Sequence, residues 1–398
     1  MKKSAIIISI IVPLLFFTAA SFFVQTEKLE AMPGFARMYN MSCTTCHAPA
    51  PRLKAYGDEF AGNGFVLKDQ EAPRYFTKTG DDKLNLIRTV PPIGLRIEGY
   101  YKHQTETDKD VDLSFPYNIK LISGGPIAKN MAYYFYFFFS EHGEIAGLED
   151  AFIMFNNLGG RDLDLYLGQF AISDPMFKGE LRLTYDKYQI YGHSVGESQI
   201  DLKYDRGLMV TYGIEKTGTG LTMELVNGNG IGETGTDNVY DDDKYKCGLL
   251  HASQDVNEYF RIGGFGYYGK EGEEFVNEVV MGGIDATFAV EKAELNVQFV
   301  ERKDGNPGFA DNGGSATRVK SRGGLAELIF MPDGERSQWY GVGLYNVIDY
   351  DGSDDIALHT LTGHIGYLLN TNIRVFVEDT YDLENEENRF VLGLMTAF

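Results

Sequence analysis

The chain has 398 residues, with 57 acidic against 36 basic side chains and a net charge of -21. That balance repels phosphate, so nucleic acid is excluded as a partner. A hydrophobic content of 43% excludes wholesale disorder, and beyond residue 24 no run of roughly 18 apolar residues occurs, which excludes a polytopic helical membrane protein.

Residues 1–20 read as a secretory signal peptide. Met1-Lys2-Lys3 is a basic start, AIIISIIVPLLFF is the apolar stretch, and the small residues Thr18, Ala19 and Ala20 form a cleavage site. An uncleaved anchor is the alternative, because Phe22-Phe23-Val24 extends the apolar run. In either case the rest of the chain leaves the cytoplasm.

Residues 32–75 hold two of the three cysteines, in Cys43-Thr44-Thr45-Cys46-His47. C-x-x-C-H is the attachment motif of a c-type haem. Two thiols on one turn reach the two vinyl groups of a porphyrin, and the adjacent His47 becomes the proximal iron ligand. A disulfide, a thioredoxin-like redox pair or half a zinc site are the other readings. No second pair completes a zinc site, and no βαβ pattern surrounds the motif. Arg52 to Ala61 carries Leu53, Tyr56 and Phe60 at helical spacing, with Gly62 and Gly64 as stops. So short a segment cannot bury a haem alone and must borrow walls from the rest of the chain. Cys247 lies in a strand pattern and reads as a small buried or lipid-facing residue.

From residue 90 to 398 the pattern has period two. Ile93, Leu95, Ile97, Gly99 and Tyr101 alternate with Gly94, Arg96, Glu98, Tyr100 and Lys102. Leu113, Phe115, Tyr117, Ile119 and Leu121 alternate with Ser114, Pro116, Asn118 and Lys120. Leu295, Val297 and Phe299 alternate with polar residues, as do Ile373, Val375 and Val377 with Arg374 and Glu378. Charge recurs on one face, which a packed core rejects and a wet lumen accepts. Connections alternate short and long. Short links are read at Gly124-Gly125-Pro126, NLGGRD, KTGTG, SQDVN, VEKA, MPDGE and LNTN, and long ones at TETDKDVD, 172–206, 227–244 and 303–322. This is the layout of a transmembrane antiparallel β-barrel of about sixteen strands, in an all-β chain with a small N-terminal α-helical cytochrome plug. The terminal Phe398 resembles the sorting signal of outer-membrane barrels. The aromatic run Tyr133 to Phe139 is expected to turn one side to lipid and the other onto the plug.

The segment Pro33-Gly34-Phe35-Ala36-Arg37, Cys43-Thr44-Thr45-Cys46-His47, Pro51-Arg52-Leu53, Tyr56-Gly57, Phe60 and Gly64-Phe65 resembles the fused monohaem cytochrome–porin family, the outer-membrane iron oxidases of iron-oxidising bacteria. The specific match spans about thirty residues, and the barrel matches only in kind. The resemblance implies one covalent haem c on Cys43, Cys46 and His47. It also implies electrons passing from extracellular Fe(II) to a periplasmic cytochrome c, an iron:cytochrome c oxidoreductase activity, with the plug in the lumen or on the periplasmic side of the outer membrane. The family's other donors leave iron less secure than electron transfer, and a solute porin with a structural or sensory haem plug is the alternative. Porins of this size are often homotrimers.

The sixth haem ligand is open. His103 falls on the lipid side by parity, and Met38 and Met41 flank the motif closely. His364 faces the lumen between Gly363 and Ile365 and is the candidate distal ligand, with an ordinary lumenal residue as its other reading. His193 could fold inward from its long loop. Acidic outer loops, including Asp241-Asp242-Asp243, Asp349, Asp351, Asp354, Asp355, Glu384, Glu386 and Glu387, would concentrate cations at the mouth. The 302–322 loop is the basic exception.

Overall fold

The computed structural model describes residues 34–68, 70, 74–79, 82–87, 92–105, 111–235, 237–311, 318–351 and 356–398. The signal-peptide reading of 1–20, Pro33, most of the TETDKDVD loop, Asp354 and Asp355 lie outside the described residues.

Two short helices come first, α1 (Gly34–Tyr39) and α2 (Ala55–Gly62), with a 3-10 turn at Cys43–Thr45 between them. A two-stranded hairpin follows, β1 (Arg74–Thr79) with β2 (Asp82–Ile87), which the sequence pattern did not reveal. The remaining strands are β3 (Ile93–Gln104), β4 (Val111–Ala128), β5 (Met131–Glu141), β6 (Gly147–Phe155), β7 (Leu163–Ala171), β8 (Tyr204–Ile214), β9 (Thr219–Val226), β10 (Cys247–Asn257), β11 (Phe260–Glu271), β12 (Asn277–Val290), β13 (Ala293–Asp304), β14 (Val319–Phe330), β15 (Trp339–Tyr350), β16 (Ile356–Asn370), β17 (Ile373–Asp382) and β18 (Glu387–Ala397). Among the described residues these sixteen antiparallel strands close into one barrel, sealed by β18 against β3 from Arg389↔Gln104 to Ala397↔Arg96. Closure leaves no unpaired edge, which a bilayer would not tolerate.

The alternation holds around the ring. Leu295, Val297, Phe299, Leu361 and Ile365 are exposed outside, while Glu98, Lys120, Asn296, Gln298, Arg374 and Glu378 are buried inside. The outer face is therefore an apolar belt around a polar lumen.

Local departures have local causes. Gly124-Gly125-Pro126 is strand, and the turn comes later, at Lys129-Asn130. The β10–β11 turn is Glu258-Tyr259, so Ser253, Gln254, Asp255 and Asn257 remain paired and only Val256 bulges out. In both places the interstrand ladder overrides local turn preference. Tyr117, expected outside, packs inside on Tyr100, because the register shifts between Glu98 and Tyr100. Arg302, assigned to an outer loop, sits on β13 in the lumen and grips Asp304. Cys247 is fully buried under the 172–203 loop beside Ile200. That loop turns inward: Ile172, Leu183, Tyr188, Ile190, Tyr191, Ile200 and Leu202 are all buried against the wall.

Candidate functional site

The Cys-x-x-Cys-His segment folds on itself. Ser42 Oγ accepts from the Thr44 amide, and the Cys43 carbonyl accepts from the amides of both Cys46 and His47. Both thiols and the imidazole thus leave one turn. The chain returns through Pro49 and Pro51, where His47 bridges to Leu53 and the Lys54 amide donates to the Cys46 carbonyl at 2.8 Å. The return places the Pro51 carbonyl 2.8 Å from His47 Nδ1. A carbonyl only accepts, so Nδ1 carries the proton and Nε2 keeps its lone pair. Nε2 makes no hydrogen bond among the described residues, and burial holds the imidazole below its ordinary range. A neutral imidazole with a fixed tautomer and a free Nε2 is the form that ligates a metal.

The three cysteines are free, and burial raises the thiols of Cys43 and Cys46. A thioredoxin-like nucleophile needs the opposite shift. Around Cys46 an apolar cluster gathers Phe60, Phe65, Ala132 and Met154, with Phe35, Tyr39, Met41 and Leu53 packed on it. Of the α2 residues proposed for the buried face, Phe60 is buried but Tyr56 is exposed. Gly57 takes the inner position, because a side chain there would strike the Cys46 carbonyl 2.5 Å away.

The helical segment is seated at the short-turn end of the barrel. Phe65 stacks on Tyr134 at 5.7 Å between ring centres, the contact expected of the aromatic run. Gly34 lies so close to Pro92 that a Cβ would overlap its backbone. Across the lumen Arg52 pairs with Glu294, and Lys54 Nζ lies 3.0 Å from Glu335. Asp58 takes Lys178 from the inward loop at 2.5 Å, and Asn157 donates to Asn63 at 2.8 Å.

The inward loop divides the lumen. On the α2 side lies a chamber of 1640 Å³, lined by Leu53, Asp58, Asp174, Lys178, His251 and Glu327 among others. A smaller space of 180 Å³ borders Arg96, Lys120, Glu149, Glu180 and Arg389. The loop is pinned by Glu378, which accepts from the amides of Tyr185 and Asp186 at 2.7 and 2.8 Å. Arg389 reaches Asp186 at 2.8 Å, and Arg302 donates to the carbonyls of His193 and Ile200. Burial pushes Asp174 up to about 6. At Glu180 burial is outweighed by Lys120 and Arg182, which hold it down to about 2.

The histidines now have places. His364 is lumenal and buried, between Tyr340 and Phe376. Its Nδ1 meets Glu378 at 2.9 Å and its Nε2 meets the Tyr340 hydroxyl at 3.4 Å, and it does not line the chamber. His193 folds inward only as far as Ser321, 2.9 Å away. His251, which the sequence did not single out, lines the chamber and meets Asp285 at 2.9 Å across β11. Gly263 makes that contact possible, since a Cβ there would crowd both side chains.

No family model and no curated protein matches the chain. Solved structures do. The trimer form of OmpT from Vibrio cholerae aligns with 10% identity over 77% of this chain and 98% of its own, at a TM-score of 0.54. The anion-selective porin of Comamonas acidovorans gives 11%, 77%, 98% and 0.54, and the DcaP channel of Acinetobacter baumannii 12%, 77%, 96% and 0.54. The fold is that of the outer-membrane porins. At these identities the likeness reaches the barrel architecture alone.

Proposed function

We propose that the chain is an outer-membrane electron conduit: a porin barrel that carries one covalent haem c and passes electrons from an extracellular donor, ferrous iron, to a periplasmic cytochrome c. The observation that carries this reading is the 2.8 Å bond from His47 Nδ1 to the Pro51 carbonyl, which prepares Nε2 for iron beside two free cysteines on the same turn. Bound there, the haem would supply a one-electron carrier. Cys43 and Cys46 would hold it covalently, His47 would ligate it, and Met41, Leu53 and Phe60 would keep its edge dry. Porin short turns face the periplasm, so on this reading the segment sits at the exit of the conduit. The larger chamber lies beside it among short-turn residues such as Arg161, Lys216 and Glu291, and the smaller space lies past the inward loop beside Glu141 and His142. His364 keeps its place as a proposed ligand only if its bond to Glu378 persists as an orienting contact and Tyr340 gives way.

A second reading is favoured by the fold likeness and by the chamber alongside the helical segment: a solute porin whose haem is structural or sensory. The discriminating experiment uses cells that mature c-type haem. Fe(II) supplied outside intact anaerobic cells reduces the haem bands of the wild type on the first reading. Cys43→Ala/Cys46→Ala protein shows no covalent haem at all. Haem that dithionite reduces and external Fe(II) does not, together with solute conductance in planar bilayers, overturns the conduit in favour of the porin.

A further inference from the structure

The conduit reading gives no role to Arg374, a lumenal side chain of β17 that is only 4% exposed. Its Nη1 donates to the Leu183 carbonyl at 3.1 Å, and its Nη2 lies 3.6 Å from Met395 Sδ. Its guanidinium lies over the Phe376 ring, 5.3 Å from the centre, and meets the Tyr340 hydroxyl. All of these partners are neutral, and its Nε is sealed from solvent with no partner. Burying a guanidinium without a counter-charge is costly.

A closed path of contacts leads from Arg374 to two more arginines. On the wall Arg374 is the register partner of Met395, and Met395 is that of Glu98. Arg96 precedes Glu98 by two residues on the same face and is paired with Lys120. Arg96 leans along β3 onto Glu98, and Arg374 leans onto Met395, so the two guanidinia stand over register partners on adjacent strands. The Cα atoms of Arg96 and Arg374 are two strands and two residues apart, about 12 Å, within the joint reach of two arginine side chains. The Nε of Arg96 is also sealed without a partner. The inward loop supplies the third arginine. Leu183, held by Arg374, follows Arg182, whose Nη1 lies 3.8 Å from Glu180. Glu180 meets Lys120 at 3.2 Å, and Lys120 stands opposite Arg96, which closes the ring. Arg96, Arg182 and Arg374 all line the 180 Å³ space.

The carboxylates of this ring are already taken. Glu98 holds Arg96 and accepts from Tyr100 and Asn118 at 2.9 Å each. Glu180 holds Lys120 and accepts from Tyr136 at 3.3 Å. Arg96, Lys120, Arg182 and Arg374 thus face only Glu98 and Glu180. Elsewhere along the space Arg389 pairs with Asp186, Lys187 adds a cation, and Glu141 ends β5 at the long-loop side. Glu149 stands on β6, five strands from Arg374. There the register passes from Phe135↔Ala151 to Phe137↔Leu148, a bulge that sets Glu149 and Asp150 together opposite Tyr136.

We propose that Arg374, Arg96 and Arg182 bind one small oxoanion of the phosphate class in this space. A guanidinium presents paired N–H donors that match two oxygens of such an anion. The surplus of cations in the ring supplies its counter-charge. Arg374 and Arg96 belong to the wall and Arg182 to the inward loop, so the anion ties the loop to the wall. The closed strand ladder separates the space from the bilayer, so the anion comes from solution and not from a lipid headgroup. The site does not rest on the haem reading.

The test is calorimetric titration of full-length protein in detergent with inorganic phosphate, in chloride buffer at fixed ionic strength. Wild type should bind one phosphate per chain saturably, and Arg374→Gln and Arg182→Gln should each weaken binding about tenfold or more. Lys303→Gln removes an exposed cation of the outer face and should leave the affinity unchanged. Cys43→Ala/Cys46→Ala protein should bind as wild type does, so failure of the haem reading leaves this one standing. Absence of saturable binding by wild type overturns the proposal. So does wild-type affinity in Arg374→Gln or Arg182→Gln protein whose heat-modifiable gel mobility shows a folded barrel, or equal weakening by Lys303→Gln. Should Arg374→Gln fail to fold, Arg374→Lys, which keeps the charge and loses the fork, is read by the same criterion.

Discussion

Replacing Glu378 with Gln should unlatch the inward loop. Glu378 is fully buried and accepts from Tyr185 N–H at 2.7 Å, Asp186 N–H at 2.8 Å and His364 Nδ1 at 2.9 Å. Gln keeps one acceptor oxygen and turns an NH₂ toward a donor. One charge-assisted bond is lost, about 1.5–3 kcal/mol, and a buried N–H is left unpaired, about 1–3 kcal/mol. The sum of roughly 2.5–6 kcal/mol brackets the usual cost of breaking a buried charged contact and shifts the loop equilibrium on the order of a hundredfold or more. Arg389–Asp186 and the Arg374 bond to the Leu183 carbonyl at 3.1 Å remain, so the tip lifts while the loop stays tethered. Trypsin reports the lift, because Arg182 and Lys187 flank the released segment. The expected outcome is cleavage there at least tenfold faster and a larger single-channel conductance, as the two lumenal spaces merge. Wild-type conductance together with wild-type protection in a folded variant would refute the latch.

Three further outcomes follow from particular contacts. Gly57→Ala places a methyl 2.5 Å from the Cys46 carbonyl and should cost the helical segment about 1–3 kcal/mol, seen as faster proteolysis of residues 43–62 with unchanged heat-modifiable barrel mobility. Gly263→Ala drives a Cβ between His251 and Asp285 and should lower the melting temperature of the barrel by an amount matching the loss of one buried hydrogen bond, about 1–3 kcal/mol. His193 is held down to about 4, chiefly by burial and then by Arg302, with Asp304 opposing. The unfolded chain takes up that proton near pH 6.5 and the folded one near 4, so stability is full above 6.5 and declines as pH falls between them. His193→Gln should flatten that part of the melting profile, and an unchanged slope would assign it to another group.

The strands were legible because each faces two solvents of opposite kind, and that contrast writes itself into alternate residues from Ile93 onward. Turn residues were a poorer guide. Gly124-Gly125-Pro126 has strong turn character and still pairs with Ala132 to Tyr134, because a barrel wall penalises every unpaired amide. Parity also fails wherever a bulge intervenes, which is why Tyr117 and the Glu149-Asp150 pair were misplaced or missed. The 172–203 loop was recognisable by its length, but nothing local states that it turns inward. Its anchors, Glu378, Arg389 and Arg302, are distant in sequence and meet it only after closure. The spacing of Cys43, Cys46 and His47 was readable as a motif. The Pro51 contact, which sets the tautomer, was not.

Sealing of the ring by β18 on β3 fixes an order of events in time. The N-terminal segment is made first, yet its counterparts Tyr134, Glu294 and Glu335 are spread over more than half the wall. Its seat is complete only when the last strand has docked. Until then Phe35, Phe60 and Phe65 can cover one another but lack the Tyr134 face of the wall.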